Sequence, residues 1–392
     1  MKRLKIALIL VLLLVTIEFQ SFCQVKGEIG DVNFTVRMTV TYSNKGTETW
    51  NFTEAEQSVS LFMNNTWQNV QLLNHSYSPK SIKNDTDGNP TAVLQFKSQL
   101  TSGENLSYTV TYDVLSRPRL LPSISEEESQ TLNEIPNELK EKYTKAEGPW
   151  LTNETELQDL AYGIAGNETN VLTIVKNLAA WIANQSNIRY ETHEVPLYPN
   201  ETLKRKEGDC DDKAILLVTL CRIYGIPSYL QVGCMYNPTS PLLNDTYWQG
   251  HVTVVLERIS WHGWAIVYIP PWGWLPVDLT YVLGGTSDPL SRIRQAAVTS
   301  QWVIQYMNFT KSDYVASSRS TRDFLQQNDF YIYEEDEMRL NQPSGIPWQQ
   351  IMETLKWFSI VAMVGGTAAI VFVAVVVYVR KTEKKGLNEI DR

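Results

Sequence analysis

The chain has 392 residues, 43% of them hydrophobic, with 43 acidic against 34 basic side chains and a formal net charge of −9. That length holds about two domains with segments to spare. The acidic balance excludes nucleic acid and anionic lipid as partners of the bulk of the chain, and four cysteines are too few for a disulfide framework.

Residues 1–23 predict a secretory signal peptide. Lys2, Arg3 and Lys5 precede an apolar stretch from Ile6 to Ile17, and small residues at Ser21 and Cys23 suit cleavage before Gln24. An uncleaved anchor is the second reading. Residues 30–115 predict an all-β sandwich of Ig-like type. Val32, Phe34, Val36, Met38, Val40 and Tyr42 alternate with polar residues, as do Leu106, Tyr108, Val110, Tyr112 and Val114. One apolar face per strand is the pattern of two packed sheets, with Asn33 and Asn105 on the outward face.

Residues 116–147, rich in Pro, Ser and Glu, predict a linker with one short helix. Residues 148–300 predict an α+β domain. Helical spacing runs from Glu156 to Ile164 and from Asn170 to Ala183, and a third helix opens at Cys210 and closes near Gly225-Ile226-Pro227. Strands are expected at 229–235, 251–259, 264–269 and 274–278. Residues 301–356, with the acidic Tyr333-Glu334-Glu335-Asp336-Glu337, read as a C-terminal extension and stalk.

Residues 357–379 form an uncharged run long enough for a transmembrane helix. Arg380, Lys381, Lys384 and Lys385 follow, and the positive-inside rule makes 380–392 a cytoplasmic tail. The expected location is the cell membrane, with a single pass and the bulk of the chain extracytoplasmic. Gly365 and Ala369 form a small-xxx-small pair that would let two such helices pack as a homodimer. Sequons begin at Asn33, Asn51, Asn64, Asn74, Asn84, Asn105, Asn153, Asn167, Asn184, Asn200, Asn244 and Asn308. Their spread fits an exported glycoprotein with the layout of an archaeal surface protein.

The chemistry centres on Gly208-Asp209-Cys210-Asp211-Asp212-Lys213-Ala214. A helix start favours a thiolate, and Asp209 suits the N-cap with Asp212 at the capping-box position. Those carboxylates also oppose the anion, so a histidine is needed as the main counter-charge. His251 heads an apolar strand and is the best of four. His262, in Ser260-Trp261-His262-Gly263, reads as a solvated hairpin tip, His75 lies in the other domain, and His193 is a weak rival. Asp278, ending Trp274-Leu275-Pro276-Val277, needs a partner that an imidazole N–H would supply. Cys221 lies eleven residues beyond Cys210 on the same predicted helix, roughly 16 Å along it and too far to bridge. It reads as a small buried hydrophobe, with a Cys221–Cys234 bond as the alternative.

These residues, with Leu220-Cys221-Arg222-Ile223-Tyr224-Gly225-Ile226-Pro227, Gly233 and Asp278-Leu279-Thr280, resemble the transglutaminase-like superfamily over roughly 150–285. The resemblance implies a papain-like domain in which Cys210 is the nucleophile, His251 the base and acid, and Asp278 the orienting group. It implies no cofactor and no metal. This sequence departs from the family in two places: Val252 and Thr253 stand where an aromatic often follows the histidine, and Tyr229 stands near the place of an arginine. The expectation is a membrane-anchored extracytoplasmic enzyme that acts on a protein or peptide substrate outside the cell through a Cys210 acyl-enzyme, as a protease or amidase. A cross-linking transglutaminase and a non-catalytic adhesion or scaffold module are the alternatives.

Overall fold

The computed structural model describes residues 30–283 and 288–341. The expected signal peptide (1–23), transmembrane helix (357–379) and cytoplasmic tail (380–392) lie outside the described residues. Among the described residues no helix is long and apolar enough to cross a membrane.

The first alternating segment forms β1 (Val32–Asn44). Short strands follow: β2 (Trp50–Asn51), β3 (Ser58–Ser60), β4 (Gln68–His75), β5 (Pro79–Asn84), β6 (Pro90–Leu94) and β7 (Gln99–Leu100). The second alternating segment is β8 (Asn105–Ser116), antiparallel to β1 with Phe34 opposite Val114 and Tyr42 opposite Leu106. Period two sends Phe34, Val36, Val110, Tyr112 and Val114 to one buried face. The small sheet β3-β6-β5 contributes Val59, Ala92 and Leu94 to the same core. The N-terminal region is thus β-rich. Asn105 is exposed, but Asn33 is half-buried and bonded to Asp113 and Asn341.

The segment 116–147 does not run free as a linker. Ile124 and Ile135 sit in the apolar core of the helical part, because each can leave water only by docking there. It ends in α1 (Asn137–Tyr143). Next come α2 (Thr155–Ala165), α3 (Val171–Ala183), β9 (Arg189–Tyr190), α4 (Pro199–Arg205), β10 (Glu207–Gly208) and α5 (Cys210–Ile223). Helix α5 is apolar on nearly every side beyond its first turn, and Ile215, Leu216, Leu217, Val218 and Leu220 are fully buried. Such a helix belongs in the middle of a domain.

The chain continues with β11 (Ser228–Tyr236), β12 (Leu243–Tyr247), β13 (Val252–Glu257), β14 (Ile259–Ile269), β15 (Gly273–Val277), α6 (Ser291–Arg294) and β16 (Val303–Phe309). A four-stranded sheet in the order β15-β14-β11-β16 lies between the two cores. Leu230, Ala265, Val267 and Val277 enter the helical core, while Cys234, Ile259 and Ile304 enter the β-rich one. Cys210, Cys221 and Cys234 are all free thiols, so no Cys221–Cys234 bond forms.

Within the expected extension and stalk, β16 is followed by α7 (Tyr314–Asn328) and β17 (Phe330–Asn341), while residues 342–356 lie outside the described residues. β17 slots between β1 and β13 in a six-stranded sheet of order β12-β13-β17-β1-β8-β4. It runs antiparallel to β1, with Asn33 opposite Asn341, and parallel to β13, with Val252 opposite Ile332. Two of its acidic residues, Glu335 and Glu337, are accommodated by arginine partners. Arg37 lies 2.9 Å from Glu335 and 3.6 Å from Glu337, and Arg258 also pairs with Glu337. The described residues from Val32 onward therefore group as one unit, not as two domains joined by a linker.

Candidate active site

Cys210 is the first residue of α5, behind Asp209 as N-cap. Asp212 holds that turn: its carboxylate accepts from the Asp209 N–H at 3.3 Å and from the Leu197 N–H at 2.6 Å. Gly208 is required here, since a Cβ on it would lie 2.7 Å from the Asp212 Cβ.

Asp278 is fully buried just beyond β15. One carboxylate oxygen accepts from the backbone N–H of Thr280 at 3.0 Å and of Tyr281 at 2.8 Å. The other lies 2.7 Å from Nε2 of His262, a residue only 5% exposed on β14. The pairing of Ala265 with Val277 explains this contact. Continued by one step it sets Trp264 across from Asp278, which makes Asp278 the diagonal same-face neighbour of His262.

His262 is also brought to the thiol's neighbourhood. Gly263, the next residue, packs on the first turn of α5, where a Cβ would come within 3.1 Å of the Asp211 Cβ and 3.3 Å of its Cα. Its backbone N–H is directed at the Cys210 sulfur. With Nε2 taken by Asp278, Nδ1 is the nitrogen left to serve as base.

His251, the histidine expected in that role, is elsewhere. Its Nδ1 lies 2.8 Å from the Phe330 carbonyl oxygen, and its ring stacks on Tyr331 at 4.5 Å. The cause is topological: the strand it heads, β13, pairs with β17 and β12 in the six-stranded sheet, whereas Asp278 follows a strand of the other sheet. Asp278 therefore meets His262 and not His251. The solvated hairpin tip expected at Ser260–Gly263 is in fact mid-strand, because the chain reverses earlier at Arg258, whose φ is 58°. One signal in the sequence marked this residue. The aromatic missing after His251 is present after His262, as Trp264.

The electrostatics oppose a resting thiolate. Burial pushes the Cys210 thiol well up, and the charges of Asp211 and Asp209 push it further. The N–H groups of Gly263 and Asp211 pull the other way. Asp209 is itself raised to about 10, by burial and then by Asp211, and Asp212 to about 7 by burial and then by Asp211. Tyr314 of α7 turns its hydroxyl to Asp211. Asp209, Cys210 and Asp211 bring ligand atoms within 4.8 Å of one another, but two carboxylates with one thiol and no imidazole fit neither a structural zinc site nor a calcium cage.

The fold agrees with the comparisons. Residues 158–279, which include Cys210, His262 and Asp278, match the family model of the transglutaminase-like superfamily. No curated protein matches the sequence. Among solved structures, the chain is similar to a candidate cysteine protease from Cytophaga hutchinsonii at 15% identity and a TM-score of 0.51, covering 81% of this chain and 93% of that one. It is also similar to the periplasmic domain of TgpA from Pseudomonas aeruginosa (14% identity, TM-score 0.32, 65% of this chain and 91% of that one). A third is red sea bream transglutaminase (10% identity, TM-score 0.29, 66% of this chain and 49% of that one). The chain therefore carries a transglutaminase-like superfamily domain at residues 158–279.

Proposed function

We propose that this chain is a membrane-anchored, extracytoplasmic cysteine hydrolase that opens amide or peptide bonds through an acyl-enzyme on Cys210. The observation that carries the reading is the buried His262–Asp278 pair, 2.7 Å apart, adjoining the glycine that packs on the first turn of the Cys210 helix. Asp278 fixes the imidazole tautomer with the proton on Nε2, which leaves Nδ1 to take the thiol proton. The sulfur then bonds to the substrate carbonyl carbon, and the imidazolium returns its proton to the leaving amine. Water attacks the resulting thioester with His262 as base, releasing the acid and the free thiol.

Because burial, and then the neighbouring carboxylates, hold the thiol neutral, His262 acts as a general base during attack and does not rest as a preformed ion pair. The likeness to a candidate cysteine protease over most of both chains supports hydrolysis over transfer to amines. Anchoring through residues 357–379, export by residues 1–23 and an Ig-like character of the N-terminal β region belong to the same proposal.

The test uses the full-length chain in detergent, alkylated with iodoacetamide across pH 6–9 and mapped by mass spectrometry. His262→Ala should slow Cys210 labelling at pH 7 about tenfold or more, and His251→Ala should leave it within about twofold. The opposite ranking would refute the assignment. Incubation with a casein and a fluorescent amine then separates cleavage from acyl transfer.

A further inference from the structure

A sheet is vulnerable where its last strand has no neighbour, because the free N–H and C=O groups there pair readily with another chain. The four-stranded sheet guards both of its edges. β15 carries Pro276, which has no N–H to offer. On β16 the side chain of Gln68 takes both backbone groups of Gln305 at 2.7 Å, and that of Asn89 takes those of Asn308 at 2.7 and 2.8 Å.

The six-stranded sheet ends in β12 and β4, which pair with β13 and β8 alone among the described strands. Asn64 takes the N–H and C=O of Val70 at the start of β4. Among the described residues no side chain does the same for any other residue of β4 or β12. β4 contains no Lys, Arg, Asp, Glu or Pro, and β12 a single charge, Asp245. Leu73 is 57% exposed, and Leu242, just before β12, is 61% exposed. Each edge instead carries an exposed asparagine that opens an Asn-x-Ser/Thr: Asn74-His75-Ser76 on β4 and Asn244-Asp245-Thr246 on β12. The Asn74 Oδ1 accepts from the His75 N–H at 2.8 Å, which holds the amide against the strand. Neither Nδ2 makes a hydrogen bond among the described residues. Other sequons are engaged in the fold. Asn33, on the central β1, donates to Asp113 and accepts from Asn341, and Asn308 accepts from Gln231 at 2.7 Å.

We infer that Asn74 and Asn244 are N-glycosylation sites whose glycans cover the two open edges of the six-stranded sheet and keep copies of this chain from pairing through them. The inference rests on export by residues 1–23 and is independent of the chemistry at Cys210. The donor is an oligosaccharide carried on a lipid phosphate. The asparagine Nδ2 bonds to C1 of the first sugar and loses a proton, while the C1–O bond breaks and the lipid phosphate leaves. An added strand would lie about 4.8 Å from the edge, in the space that the bulky sugar fills.

The full-length chain, exported by a host that N-glycosylates and purified in detergent, supplies the test. Peptide mapping by mass spectrometry should find sugar on Asn74 and Asn244 and none on Asn33 or Asn308. Ser76→Ala with Thr246→Ala, and separately Asn74→Gln with Asn244→Gln, should each aggregate about tenfold faster on warming, read by light scattering. Adding Leu73→Lys and Leu243→Lys should restore most of the loss, since an edge lysine serves the same end. Made in a host without glycosylation, the parent and the sequon variants should aggregate equally, which assigns the effect to the sugar. The burst of p-nitrophenolate released when p-nitrophenyl acetate acylates Cys210 should stay within about twofold of the parent in every variant. Sugar on the exposed Asn105 and Asn153 with none on Asn74 or Asn244 overturns the inference alone. So does aggregation within about twofold of the parent once the sugar is lost. A chain with no sugar at any sequon overturns the export reading with it.

Discussion

Replacing Asp278 by asparagine tests the site most sharply, because the surroundings dictate how the amide must lie. One carboxylate oxygen accepts two backbone N–H groups, from Thr280 at 3.0 Å and Tyr281 at 2.8 Å, and the other faces His262 Nε2 at 2.7 Å. An asparagine that turned its NH2 toward Thr280 and Tyr281 would set donor against two donors in a fully buried place, at a cost of about 1–3 kcal/mol per group left unsatisfied. The amide oxygen therefore stays with the backbone, and the NH2 points at His262. Nε2 must then accept, so the ring proton moves to Nδ1, and the nitrogen needed as base is blocked. Loss of the working tautomer should cost about 10²–10⁴ in acylation rate, or about 3–5 kcal/mol. Stability should change little, since every hydrogen bond survives with its polarity reversed at one end. The assay is the p-nitrophenolate burst, paired with nitrogen-15 NMR of the imidazole to read the tautomer. Asp278→Asn acylating within about threefold of the parent with the tautomer inverted would refute the role given to His262 Nδ1.

Asp211 is the strongest of the charges opposing the Cys210 thiolate, so Asp211→Asn should move the alkylation pH profile of Cys210 to lower pH, and an unmoved or upward profile contradicts it. Gly263→Ala places a methyl 3.1 Å from the Asp211 Cβ. The first turn of α5 must yield by a few tenths of an ångström, and acylation should fall about tenfold with little change in melting temperature. Burial, and then the charge of Asp336, raises Glu334 from 4.5 to about 7. Burial likewise raises Asp336 from 3.8 to about 6. Both folded values exceed the unfolded ones, so the folded state binds more protons between about pH 4 and 7. Stability should therefore be full at the acid end and fall as pH rises through that window. Melting temperatures at pH 5 and pH 8 check the sign, and Glu334→Gln should flatten the slope. A parent that melts higher at pH 8 would show the reasoning wrong.

Much of this was legible in the sequence where local pattern decides structure. The period-two runs gave β1 and β8, and the helix after Asp209 began where its capping residues put it. The places of Cys210 and Asp278 in the fold were readable because each sits at one end of an element whose apolar body is plain. His262 was not, because its role depends on where the chain reverses. A left-handed Arg258 carries no sequence signal as strong as the Gly263 that suggested a turn five residues too late. β17 escaped for a different reason. Glu335 and Glu337 look like a solvated run until Arg37, about 300 residues earlier, is known to lie across from them. Glu334 and Asp336 point instead among tyrosines and Trp261, which no local pattern announces.

The position of β17 bears on how the protein is made. The largest sheet places its first strand against its last, with Asn33 facing Asn341 and only β17 bridging β1 to β13. A ribosome releases these partners about 300 residues apart, and contacts so distant in sequence are the slowest to form. Until Asn341 has emerged, β1 and β13 each present an open edge, which is the feature of nascent chains that recruits chaperones and invites aggregation. A chain cut before Phe330 would keep Cys210, His262 and Asp278 yet lose the strand that closes the sheet. Its failing would be poor yield of soluble protein, with the chemistry of the thiol left in place.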